Sequence, residues 1–174
     1  MPDPADPTRR VADRDRNAEG RPENARPRDH YGRPLPRGSR DELPDRQDPA
    51  DVVASTDEAL ARAAALFDAE RFFEAHEFFE YVWKSDAVDE TDRDFWKGLA
   101  QVAVGCCHAQ RGNDEGAVTL LERAAGYLDP YPSPHRGVAT DRVIRGALTV
   151  AAAVREQGAS PGVPFPRFPP AADA

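Results

Sequence analysis

From Phe95 to Ala109 the chain reads Phe-Trp-Lys-Gly-Leu-Ala-Gln-Val-Ala-Val-Gly-Cys-Cys-His-Ala, and this stretch constrains the fold most. Wound as a helix at 100° per residue, it puts Phe95, Leu99, Val102, Cys106 and Ala109 on one face. Trp96, Ala103 and Cys107 widen that face, and Ala100 and Val104 carry it further round. A helix apolar over most of its circumference has to be surrounded by other elements. Its polar stripe is narrow and holds Lys97, Gln101 and His108. Gly98 and Gly105 fall on one line, seven residues apart. A helical glycine costs about 1 kcal/mol relative to alanine, so the pair predicts close backbone approach by a neighbour. Thr91 or Asp92 caps this helix, which runs to Arg111 and is about 30 Å long.

The preceding helix is the most aromatic part of the chain: Arg71-Phe72-Phe73-Glu74-Ala75-His76-Glu77-Phe78-Phe79-Glu80-Tyr81-Val82-Trp83-Lys84. Phe72, Ala75, Phe79, Val82 and Trp83 share an apolar arc. His76 and Glu80 sit on its edge, four residues apart, so their Cβ atoms stand about 5–6 Å from each other. Glu77 and Lys84 lie further round, toward water. An imidazole and a carboxylate at a buried edge are costly unless something compensates them.

Three further helices frame these two. Ser55 or Thr56 caps the first, with Ala59, Leu60, Ala63, Leu66 and Phe67 on its apolar face. Gly112-Asn113 closes the third helix and caps the fourth, which buries Val118, Leu121, Ala125 and Leu128. After Pro130, Pro132 and Pro134, Thr140 or Asp141 opens a fifth, with Ile144, Ala147, Leu148, Ala151 and Val154 inward. No segment alternates with period two over a useful length. The predicted architecture is all-α: a five-helix bundle of antiparallel helical hairpins, similar to a degenerate pair of tetratricopeptide-like repeats.

Residues 1–50 carry nine Pro, eleven acidic residues and eleven Arg with almost no aliphatics, so they read as a disordered or extended arm. Residues 51–157 form the helical domain, and their 19 acidic and 11 basic residues give a net charge of −8. Residues 158–174 are a proline-rich tail with Phe165 and Phe168 as anchors. That negative charge argues against nucleic acid and anionic membranes as partners. The only cysteines, Cys106 and Cys107, are adjacent on a helix and cannot reach disulfide geometry, which fits a reducing cytoplasm. No apolar run is long enough to span a membrane.

Phe72-Phe73-Glu74-Ala75-His76-Glu77-x-x-Glu80-x-x-Trp83-Lys84, then Gly98-Leu99-Ala100-Gln101-x-Ala103, His108, Gly112-Asn113 and Gly116-Ala117, together resemble domain-of-unknown-function family 309. The stretch around Asn24 to Pro36 resembles the leader of its actinobacterial members. The resemblance implies a small all-helical cytoplasmic protein and carries no established activity. The positions matching the family pattern are His76, Glu77, Glu80, Trp83, Gln101 and His108.

Two function classes compete on these residues. In the first, the chain is an interaction or ligand-binding module. His76 and Glu80 then pair between the second and third helices and meet Gln101 or His108, and the partner is a protein or a second copy. In the second it is a metal-dependent, hydrolase-like enzyme. His76, Glu80 and His108 then supply the three protein ligands that a catalytic divalent metal needs. Glu77, in the position of the base in a zincin-like motif, turns away from such a pocket. Trp83 and Trp96 read as core, and His135 as a loop residue.

Overall fold

The computed structural model describes Ala18 and residues 26–169; the remainder of the expected arm and the end of the proline-rich tail lie outside the described residues. Two compact units divide the chain after Pro44. In the first, residues 26–44 are folded rather than extended. Asp29 Oδ1 accepts from the Tyr31 and Arg33 amides at 2.9 and 2.8 Å. The carboxylates of Asp41 and Glu42 accept from the Arg28 and His30 amides at 3.0 and 2.7 Å. Carboxylates thus supply the acceptors that a sheet or helix would otherwise provide.

The described residues of the second unit form six helices: α1 (Pro49–Val52), α2 (Thr56–Asp68), α3 (Phe72–Trp83), α4 (Arg93–Gln110), α5 (Asp114–Leu128) and α6 (Thr140–Gln157), with a 3₁₀ turn at Glu90–Asp92. The described residues form no strand, only isolated bridges. Among the described residues the chain is all-α, with one short helix, α1, beyond the five expected. None of these helices is long and apolar enough to cross a membrane.

Local chemistry explains the boundaries. Ser55 Oγ accepts from the Glu58 amide at 3.1 Å, and Glu58 reaches back to the Ala54 amide, just before the cap, at 3.0 Å, a variant of the capping box. Asn113 caps α5 through the Gly116 amide at 3.0 Å. Between α2 and α3, Glu70 takes a left-handed φ of 57°, and the Arg71 amide closes on the Leu66 carbonyl at 2.9 Å. That tight turn makes α2 and α3 an antiparallel hairpin. Buried Gln110, at the end of α4, donates to the Glu70 carbonyl at 2.9 Å and ties this turn to α4.

Successive helices pack on one another from α2 to α6, and α6 also touches α4. Twelve of the eighteen residues of α4 are buried, including its whole predicted face, so α4 is the central helix. Gly98 and Gly105 do mark close approach. A Cβ on Gly98 would stand 2.9 Å from Leu128 Cγ, and one on Gly105 2.6 Å from Leu121 Cγ.

The apolar face of α6 needs correcting. Val143, Ala147, Val150, Ala151 and Val154 are buried, while Leu148 is 44 % exposed and Ile144 only half-buried. A stripe at i, i+4, i+7 and i+11 from Val143 packs more tightly than one centred on Leu148. Residues 158–169 belong to the helical unit. Val163 and Phe168 are buried, Phe165 packs at 4.8 Å on Phe72, and Phe168 lies 5.7 Å from both Phe67 and Phe79.

Cys106 and Cys107 are both buried, and neither is in a disulfide. Burial, with the neighbouring Cys107 thiol and Glu70 adding to it, pushes the Cys106 thiol far up, so it holds no thiolate near neutrality. An exposure-sensitive thiol reagent should therefore label neither cysteine in the folded protein and both in guanidinium. Rapid labelling of native protein would show that α4 is not enclosed as described.

Candidate functional site

The residues singled out in the sequence sit along α3 and α4 but do not form one cluster. On α3 they make a ladder. His76 Nδ1 donates to the Phe73 carbonyl, Nε2 faces Glu80 Oε2 at 3.3 Å, and Lys84 closes on the other Glu80 oxygen. The i, i+4 spacing of a helix is sufficient to bring these three together. The Phe73 ring lies 5.1 Å from His76, with the guanidiniums of Arg46 and Arg111 at 6.0 and 5.8 Å.

The His76 hydrogen bond above all, with Lys84 adding to it against the opposing effect of burial, holds the Glu80 carboxyl at about 2, well below its ordinary 4.5. A depressed carboxyl stabilises the fold above its unfolded value, and that contribution fades as pH falls toward the folded one. Glu80 is about one-third exposed, so solvent screening reduces the gain to about 1 kcal/mol. Glu80→Gln should therefore cost about 1 kcal/mol at pH 7, and the deficit should shrink between pH 4.5 and 2. Urea midpoints of both proteins at pH 7 and pH 3 check this; a deficit independent of pH would assign the cost to packing.

Glu77 does not turn fully to water. It is half-buried and, with Glu80, Tyr81 and Lys84, lines an open depression of about 380 Å³ whose far wall is Asp48 and Pro49 of the α1 start. Trp83 is half-buried rather than core. The amines of Lys84 and Lys97 lie 5.5 and 5.8 Å from its ring, and Lys97 also sits 4.7 Å from the Tyr127 ring. Trp96 is 3 % exposed and is core.

The stripe on α4 does not meet the α3 ladder. Lys97 directs it into the crevice between Trp83 of α3 and Tyr127 of α5. Gln101 is half-buried there, with its Oε1 buried and without a hydrogen-bond partner. His108 Nδ1 accepts from Asn113 Nδ2 at 2.8 Å across the α4–α5 turn. Burial, with Arg111 adding to it, lowers the His108 pKa, so the neutral ring with its proton on Nε2 fits this bond. No hydrogen bond joins His76 or Glu80 to Gln101 or His108, so the expected shared site is corrected: two side chains pair on α3, and the other two are engaged elsewhere. Among the described residues no three His, Cys, Asp or Glu side chains come together as metal ligands would. His76, Glu80 and His108 are not brought together in this arrangement.

A buried polar cluster lies where the sequence pattern offers little signal. Asp92, 5 % exposed, accepts from His135 Nε2 at 2.7 Å on one oxygen and from Arg136 Nε at 2.6 Å on the other. Asp92 was expected to cap α4, yet it makes no side-chain cap bond. Tyr131 takes that part: its hydroxyl accepts from the Phe95 amide at 3.1 Å and donates to the Thr91 carbonyl at 2.7 Å. The His135 ring packs 4.8 Å from Phe95 and 4.9 Å from Tyr131. This cluster clamps the proline loop over the start of α4. Its members are 43 and 44 residues apart in sequence, and only the buried position of Asp92 beside a proline loop would have flagged it.

In comparisons with known proteins, residues 60–120 match the model of the family described as Domain of unknown function (DUF309), from within α2 to the first half of α5. No curated protein matches the chain.

Proposed function

We propose for this chain, a member of the DUF309 family, a binding role: it is a helical interaction module whose recognition face is the α2–α3 hairpin. One observation carries the reading. Phe67, Phe72 and Phe79 of that hairpin hold an extended, proline-rich segment, residues 163–169, through two aromatic side chains and one main-chain hydrogen bond. Proline-rich extended segments dock in aromatic-lined grooves in this way. The split of the polar candidates between two places supports binding over catalysis, and His76–Glu80 then serves as a polar edge that fixes α3. The serial packing of two hairpins is in keeping with tetratricopeptide-like pairs. The net charge of −8 favours protein partners over nucleic acid or anionic membrane, and the buried cysteines outside any disulfide favour a cytoplasmic setting.

Selection of a displayed peptide library against the full chain tests this. Recovered peptides should shift the amide signals of Phe67, Phe72 and Phe79. Ligands that leave these signals unmoved, or a selection that returns none, would sink the reading.

A second reading rests on the depression beside Glu80. Its walls hold Asp48, Glu77 and Glu80 against Lys84, three carboxylates and one amine, with the exposed Tyr81 ring between them. That chemistry suits an ammonium or guanidinium group. Binding of such a cation, weakened in Glu77→Gln, would favour it.

A further inference from the structure

Resting on the interaction-module reading, we infer that residues 163–169 are an exchangeable occupant of the recognition groove, and that the partner presents an extended, proline-containing segment with two phenylalanines three residues apart and a basic residue before the second. The segment itself shows what the groove accepts. Phe165 packs on Phe72, and Phe168 packs edge-on to Phe67 and stacks on Phe79. Asp68, at the end of α2, accepts from the Phe168 amide at 2.5 Å and attracts Arg167 at 3.7 Å. A ligand with Phe-x-basic-Phe fits the same three points.

Two features make this occupant removable. Pro164, Pro166 and Pro169 have no N–H to give, and the segment belongs to no helix or strand. Its hold is therefore mostly side-chain packing, which opens locally at lower cost than a hydrogen-bonded element. It also fits the space incompletely. A cleft of about 450 Å³ remains between the segment and Arg142, Arg145 and Thr149 of α6. On that side Pro166 rests where a Gly146 side chain would be, 3.1 Å from its Cβ position. A partner with larger side chains than proline on the α6 side fills what this segment leaves open. The link from the end of α6 is short, so the segment competes at a high effective concentration, and only a better-fitting partner displaces it.

The test uses a fluorescent peptide of residues 160–170, Ser-Pro-Gly-Val-Pro-Phe-Pro-Arg-Phe-Pro-Pro, titrated into the full chain. Wild type, with its own segment in place, should bind it at least about tenfold more weakly than a full-length Phe165→Ala/Phe168→Ala variant whose groove is unchanged. Adding Asp68→Asn to that variant should weaken binding again. A folded double variant that binds the peptide no better than wild type overturns the proposal. In case the variant does not fold, amide exchange on wild type decides. The Phe168 amide should exchange about 100-fold or more faster than that of Leu99. Equal protection would make the segment a fixed part of the core and overturn the proposal as well. A wild-type dimer that the double variant loses would give the groove to a second copy of this chain, against a separate partner. Library peptides that reach Phe67, Phe72 and Phe79 without paired phenylalanines would sink this inference while sparing the module reading.

Discussion

Asp92→Ala should cost about 3 kcal/mol of stability, because removing one partner from a buried ion pair leaves the other polar groups uncompensated. Asp92 is 5 % exposed and accepts from His135 and Arg136 on separate oxygens, so alanine removes both acceptors at once. The two donors respond differently. Arg136 is 57 % exposed and regains water readily, whereas His135 is 21 % exposed and packed against Phe95 and Tyr131. The loss therefore falls at the lower end of what a buried pair costs, and most of it sits on His135. Asp92→Asn, which keeps an acceptor for one donor, should lose about half as much. Denaturant midpoints give the totals. Amide exchange gives the location: protection should fall first at His135 and Val138, whose main chains bond to each other at 2.8 and 2.9 Å. A loss below about 1 kcal/mol would mean that the loop is held by its aromatic contacts alone.

This cluster also shows where sequence reading stops. His76, Glu80 and Lys84 are one helical turn apart, and helix geometry alone brings them together. Asp92 and His135 meet only because α4 and α5 fold back and return the chain to the start of α4. Asp92 also had a plausible local use as a helix cap, which hid its distant one. The expected link from His76 or Glu80 to Gln101 or His108 is absent for a related reason. Residues on two helices can be assigned to faces by periodicity, but which faces meet depends on crossing geometry that the pattern does not contain. Here Lys97 sits between Trp83 and Tyr127, and the α4 stripe follows it.

The fold was legible where local and global signals agreed. Ser55 and Asn113 cap the helices they were expected to cap, and the face of α4 is buried as its composition required. The face of α6 was not legible. Val143, Ile144, Ala147, Leu148, Val150, Ala151 and Val154 spread over an arc of about 160° of that helix, and periodicity cannot choose between two adjacent stripes. Residues 158–169 have no periodicity at all, so only the two phenylalanines marked them as more than a linker.

Gly105→Val should be the most damaging single change in the helical unit, costing about 3 kcal/mol or more through overpacking. A Cβ alone would stand 2.6 and 2.8 Å from Leu121 Cγ and Cδ2 and 3.2 Å from the Leu121 main-chain nitrogen. Leu121 is fully buried, so its side chain has no free space to enter, and its nitrogen moves only with α5. The substitution therefore separates α4 from α5, the most extensively packed helix pair among the described residues. Gly105→Ala should also destabilise, since the gain of about 1 kcal/mol in helix propensity is smaller than the cost of the clash. Gly126 supplies the control. It lies in α5 with nothing within 4 Å of its Cβ position, so Gly126→Ala should raise stability by about 0.5–1 kcal/mol. Thermal and urea melts of the three variants should therefore order as Gly126→Ala above wild type, wild type above Gly105→Ala, and Gly105→Val last. Combining Gly105→Ala with Leu121→Ala should cost less than the sum of the single changes, because the shorter side chain makes room for the new methyl. Strict additivity would show that the two residues do not touch, and the close approach of α4 and α5 at Gly105 would have to be abandoned.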